Sequence, residues 1–108
     1  MSVPGVGGGD EVWFNLGDGN YYVTAGNLPA GPVFGVIASG ADTLSQLVPT
    51  LYAQQAQGVA NTSSFVHSAG TVHSIAASAA NNHVYVPLPA NTAYPNCSQG
   101  CVAVFGVP

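Results

Sequence analysis

Apolar residues fall in short runs separated by glycine, proline, asparagine and aspartate, which is strand and turn patterning. Val12-Trp13-Phe14 is aromatic and β-branched, Leu16-Gly17-Asp18-Gly19-Asn20 is a turn, and Tyr21-Tyr22-Val23-Thr24-Ala25 returns. Together they predict a hairpin. After the punctuation of Gly26-Asn27-Leu28-Pro29-Ala30-Gly31, Val33-Phe34-Gly35-Val36-Ile37-Ala38 predicts a third strand. Gly40-Ala41-Asp42 turns again, and residues 43–48 alternate as a fourth. The expected unit is an antiparallel meander over 10–49. Residues 50–70 break the pattern: Leu51-Tyr52-Ala53-Gln54-Gln55-Ala56-Gln57 suits a helical turn or two ended by Gly58, within a Ser/Thr/Asn-rich connector.

The pattern then returns. Adding 63 to the first hairpin sets it without gaps on residues 72–88. Asp10 falls on His73, Val12 on Ile75, Asn15 on Ser78, Asp18-Gly19-Asn20 on Asn81-Asn82-His83, and Tyr22-Val23 on Tyr85-Val86. At an offset of 69, Gly31-Pro32-Val33 matches Gly100-Cys101-Val102, the difference being a longer loop holding Tyr94-Pro95-Asn96-Cys97. The expected organisation is a flexible segment or donated strand over 1–9, a first blade over 10–49, a connector over 50–70, and a second, incomplete blade over 71–108. A repeated four-stranded meander is the signature of a β-propeller.

The segments Gly9-Asp10-Glu11-Val12-Trp13-Phe14-Asn15-Leu16-Gly17-Asp18-Gly19-Asn20-Tyr21-Tyr22 and His73-Ser74-Ile75-Ala76-Ala77, continuing in Asn81-Asn82-His83-Val84-Tyr85-Val86-Pro87, resemble blades of bacterial YVTN/NHL-type and SMP-30-like β-propellers. The resemblance implies blade architecture, and an activity among lactonases, other lactone and phosphoester hydrolases, or inactive binding scaffolds. Those proteins carry six or more blades on one chain, so this chain resembles a two-blade fragment of one.

Two blades cannot close a ring, and a blade buries its faces only against neighbours. Alone, Trp13, Phe14, Tyr22, Phe34, Val36, Val84, Tyr85 and Phe105 are expected to expose apolar area that drives association. The expectation is an all-β chain of two antiparallel four-stranded blades assembling into a closed homo-oligomeric propeller, a homo-trimer or homo-tetramer. Residues 2–6, of the same chain or a neighbour, are the candidate for the missing fourth strand.

Charge narrows the function. The 108 residues are 47% hydrophobic and carry four acids, three histidines and no lysine or arginine, for a net charge of −4. Without cations to neutralise phosphates, nucleic acid and anionic lipid surfaces are excluded as partners. So are a lysine-bearing phosphate loop and Schiff-base chemistry. No run is long enough to span a bilayer, and Met1-Ser2-Val3-Pro4-Gly5 has neither the positive nor the apolar region of a signal peptide. Location is left open, with the family resemblance and the cysteine pair leaning extracytoplasmic.

Carboxylates and imidazoles converging where no cation can neutralise them make a divalent-metal site. The repeat pairs Asp10 with His73 at the entrance to an inner strand, so these two are candidate metal ligands and catalytic residues. Glu11 is the adjacent candidate base, and His67 the candidate third ligand. Zinc is favoured over calcium or manganese for this donor set, and its bound water would attack a small uncharged ester, a lactone or a phosphoester. Against this stand plain alternatives: Asp10 after Gly7-Gly8-Gly9 also suits a turn cap, and His73 a backbone hydrogen bond. Asp18, Asp42 and His83 read as turn residues. Cys97-Ser98-Gln99-Gly100-Cys101 fits a disulfide across a loop in an oxidising compartment; as a zinc signal it lacks two more ligands, and a redox pair is normally C-x-x-C. The competing function is a non-catalytic binding or structural module. A lectin-like variant would need aromatic and Asn-rich pockets between blades, with Trp13 and Asn27 as its candidates.

Overall fold

The computed structural model describes residues 1–7, 9–26, 32–50 and 72–106. Among them the chain is all-β: two antiparallel sheets, β1-β2-β3-β4 and β5-β6-β7, and no helix. Of the expected connector only Thr50 is described; the helical turn expected over 51–57, and His67, lie outside the described residues. The first sheet comprises β1 (Gly9–Asn15), β2 (Asn20–Ala25), β3 (Val33–Ala38) and β4 (Thr43–Pro49). The second comprises β5 (Ala76–Ala77), β6 (Val84–Leu88) and β7 (Cys101–Phe105).

The two hairpins repeat bond for bond. In the first, the Gly19 N–H donates to the Asn15 carbonyl, Gly17 N–H to Asn15 Oδ1, and Asn20 N–H to Asp18 Oδ1. In the second, 63 residues on, Asn82 N–H donates to the Ser78 carbonyl, Ala80 N–H to Ser78 Oγ, and His83 N–H to Asn81 Oδ1. Both turns need a left-handed residue at the same place, supplied by Gly19 at φ 73° and Asn82 at φ 56°. Those are the residue types that enter this region at least cost. The strand register agrees: Trp13 pairs with Tyr22 as Ala76 pairs with Tyr85, and Phe14 with Tyr21 as Ala77 with Val84.

The third strand departs from the sequence alignment by one residue. Tyr22 pairs with Val36 and Tyr85 with Val104, so β7 repeats β3 at an offset of 68 and not 69. Cys101, and not Val102, therefore stands where Val33 does. A one-residue slip exchanges the two faces of a strand, so the correction decides what is buried. Cys101, Ala103 and Phe105 point at the first sheet, and Val102 and Val104 point away from it.

The main core lies between the sheets. Tyr22, Phe34, Val36 and Val48 of the first meet Ala77, Val84, Val86, Leu88, Cys101, Ala103 and Phe105 of the second. Phe34 and Phe105 meet edge to face, with ring centroids 5.0 Å apart. Tyr22 and Phe34 of the first sheet and Val84 of the second, expected to be exposed in a lone chain, are thus buried where the chain's own two sheets meet. A smaller cluster lies on the opposite face of the first sheet, where Val6 packs with Ala25 and Val33. Gly35 makes room for it: a side chain there would come within 3.1 Å of a Val6 methyl. Val6 is thus engaged on the first sheet, and residues 2–6 add no strand to β7 of their own chain.

Candidate functional site

The first strand is irregular where the site residues sit. Gly9 pairs with Ala25 and Val12 with Val23, so one extra residue is accommodated across Asp10-Glu11. Such a bulge bends the strand and redirects its side chains. Thr24 lies opposite it and is fully buried. Its hydroxyl accepts from the Glu11 N–H at 3.1 Å and donates to the His73 carbonyl at 2.9 Å. One hydroxyl thereby joins the bulge to the chain leading into β5. The side chains above that joint meet: His73 Nδ1 lies 3.0 Å from Asp10 Oδ2, each side chain roughly two-fifths exposed.

Asp10 and His73, equivalent by the repeat, are therefore brought together at the rim between the two sheets. Glu11 is exposed and is held there through its backbone N–H. Among the described residues no group of three or more His, Cys, Asp or Glu side chains is arranged to hold a metal ion. The arrangement supplies a carboxylate–imidazole pair, able to share or pass a proton, or to offer two ligands to a cation completed from elsewhere.

A second polar network closes the turn end. Tyr22 Oη donates to Asp18 Oδ2 at 2.5 Å, and Asn15 Nδ2 to Asn82 Oδ1 at 3.0 Å across the sheets. Burial alone would raise the Asp18 carboxyl, but hydrogen bonds from Tyr22, the Asn20 backbone and the Asn15 and Asn20 side chains hold it below its ordinary value. Burial, and the carboxylate it donates to, push the Tyr22 phenol up to about 12. Asp18 is thus more than a turn residue: it anchors a core tyrosine. No buried side-chain nitrogen or oxygen among the described residues lacks a partner.

Between the sheets lies a cleft of about 300 Å³, lined by Tyr22, Phe34, Val36, Gln46, Val48, Val84 and Phe105 together with Asn20, Ser45, Asn82 and Gly106. It has the aromatic and amide character sought between blades, but Trp13 is not among its walls and Asn27 lies outside the described residues. Cys97 and Cys101 form a disulfide. Asn91 braces this loop, donating from Nδ2 to the Pro89 carbonyl and Cys97 Sγ and accepting the Ala93 and Tyr94 N–H groups at Oδ1. Sequence reasoning passed over Thr24 and Asn91, because a threonine in a strand and an asparagine in a loop carry no mark of the bonds they make.

No family model, no curated protein and no solved structure matches this chain.

The faces of the two sheets are related in an informative way. By the offsets of 63 and 68, the buried residues Ala77, Val84, Val86, Leu88, Cys101, Ala103 and Phe105 are equivalent to Phe14, Tyr21, Val23, Ala25, Val33, Gly35 and Ile37. Those lie on the face of the first sheet turned away from the second. The sheets therefore stack front to back, one sheet's front on the equivalent of its own back. The pattern leaves over the outer face of the second sheet and that part of the first sheet's back that Val6 does not cover. On the first sheet Val12, Phe14, Tyr21 and Leu47 are exposed, by 62, 42, 38 and 40%. On the second, Val102 and Val104 are exposed by 59 and 55%; their equivalents on the first sheet, Phe34 and Val36, are covered.

Proposed function

We propose that the chain is a non-catalytic association module that builds a larger all-β assembly by stacking copies front to back. The part of one copy's first-sheet back that lies beside Val6, with Val12, Phe14 and Tyr21, would receive the outer face of the next copy's second sheet, with Tyr85, Pro87, Val102 and Val104. The observation that carries the reading is the face equivalence: within one chain, the same two types of face are already packed together. Contacts between unlike faces propagate until rotation closes the ring, giving a trimer of six sheets or a tetramer of eight. With no lysine or arginine on any face, no cation has to be desolvated when they meet. Sedimentation of the wild-type chain should give three or four times the 10.8 kDa chain mass. Phe14→Asp should give one chain mass with an unchanged β spectrum. A wild-type mass of a single chain at every concentration overturns the proposal.

The contact between Asp10 and His73 favours a second reading, a zinc-dependent hydrolase of esters, lactones or phosphoesters. Asp10 and His73 would be two ligands, His67 or another copy of the pair would complete the set, and Glu11 would be the base. Stoichiometric zinc uptake lost in His73→Ala, with chelator-sensitive ester turnover, supports it; wild-type protein that takes up no zinc removes it.

A further inference from the structure

Among the described residues, the cleft lies beside β7 at the place in the second sheet that corresponds to β4 in the first. The sheets stack strand over strand: β1 touches β5, Tyr22 of β2 shares the core cluster with Val84 and Val86 of β6, and Phe34 of β3 meets Phe105 of β7. Only β4 has no counterpart among the described residues. Its Val48 and Gln46 look instead onto the cleft, whose far wall is Val84 and Phe105. Among the described residues β7 stands at the edge of its sheet, and an edge strand presents backbone N–H and C=O groups to another strand.

We propose that β7 accepts an extended peptide strand with the pattern of β4, which pairs with Cys101–Phe105 and fills the cleft. The repeat defines its chemistry. In the first sheet, β4 sets Leu47 opposite Gly35 and Leu44 opposite Ile37, and these two leucines share the face of Ala25 and Val33. Carried to the second sheet, that face is the one turned to the first sheet. A strand added to β7 in the β4 register therefore directs its two leucines into the space between Phe34, Val36, Val48, Val84 and Phe105. Its intervening residues emerge beside Val102 and Val104. Main-chain bonds would supply affinity and the leucines selectivity, the division usual for strand addition. The proposal does not depend on front-to-back stacking, which uses the opposite faces of the two sheets.

The test adds a synthetic peptide of the β4 sequence, Thr43–Pro49, to the intact chain and follows backbone amides by NMR and hydrogen exchange. Saturable shifts at 101–106 and at Gln46 and Val48, with exchange slowed at least tenfold in β7, are expected. The peptide carrying Leu44→Asp and Leu47→Asp should lose at least tenfold in affinity. So should the native peptide toward Gln46→Trp protein, in which an exposed position on the cleft wall is filled without touching the core. Absence of shifts at about 1 mM peptide, or binding that leaves the β7 amides unprotected or centres on Val12 and Phe14, overturns the proposal. The mass measurement above is unaffected by either outcome.

Discussion

Thr24→Val isolates the joint between the strand bulge and the histidine. The two side chains have nearly the same shape, so the fully buried site is neither emptied nor overfilled. What is lost is one hydroxyl and two hydrogen bonds, from the Glu11 N–H at 3.1 Å and to the His73 carbonyl at 2.9 Å. Each backbone group left without its partner costs about 1–3 kcal/mol when water cannot reach it. Both sit near the rim, where water recovers part of that cost, so the expected loss is about 2–3 kcal/mol. For a domain with ordinary stability of about 5–15 kcal/mol this is a large fraction. Urea unfolding should show the midpoint falling with an unchanged slope. A nuclear Overhauser contact between the His73 ring and the Asp10 side chain should weaken in the same variant. Thr24→Ser, which keeps the hydroxyl, should retain that contact while losing about 1 kcal/mol for the missing methyl. Thr24→Val within about 0.5 kcal/mol of wild type, with the His73–Asp10 contact intact, would refute the joint.

Gly17→Ala should destabilise by about 2 kcal/mol or more in thermal unfolding, because a Cβ there would run into Asn82 Oδ1 and the Ala79 carbonyl of the opposing turn. Tyr22→Phe should flatten the pH dependence of stability at both ends. The depressed Asp18 carboxyl contributes stability above its unfolded value near 3.8, lost as pH falls through the lower folded value. The raised Tyr22 phenol contributes below 10.0, lost as pH climbs toward about 12. Urea midpoints across both ranges test this, and equal slopes in variant and wild type would contradict it. Cys97→Ser with Cys101→Ser opens a loop whose ends are four residues apart, and should cost about 2 kcal/mol on loop-closure entropy. Calorimetry with and without reductant checks it, and reductant should leave the double variant unmoved.

Much of the architecture was legible because turns are chemically demanding. Asp18-Gly19-Asn20 and Asn81-Asn82-His83 each place an Asx acceptor before a residue able to take positive φ, which few other residues satisfy. The third strand was legible as a strand but not in register. Val102, Ala103, Val104 and Phe105 are apolar at every position, so either parity looks acceptable until the opposing sheet selects one. The Asp10–His73 equivalence followed from the repeat, whereas the bulge that turns them together has no local signal; it is set by Thr24, 13 residues away. The burial of Tyr22, Phe34 and Val84 was missed for a related reason. A repeat shows which faces are equivalent, and only packing shows which equivalent face lies against which.

Front-to-back stacking makes one demand that like-with-like association does not. Phe14→Asp spoils the back of the first sheet, and Val104→Asp spoils the outer face of the second; both positions are solvent-exposed in the single chain. Burying an unpaired carboxylate together with about 2 kcal/mol of lost apolar contact should weaken a contact at least a thousandfold. Each variant alone then has one intact face and nothing to meet it, and should sediment as a single chain. Mixed in equal amounts, the two should form a heterodimer of twice the 10.8 kDa chain mass and nothing larger. Homodimers of either variant alone, or a mixture that stays at one chain mass while wild type assembles, would contradict the account.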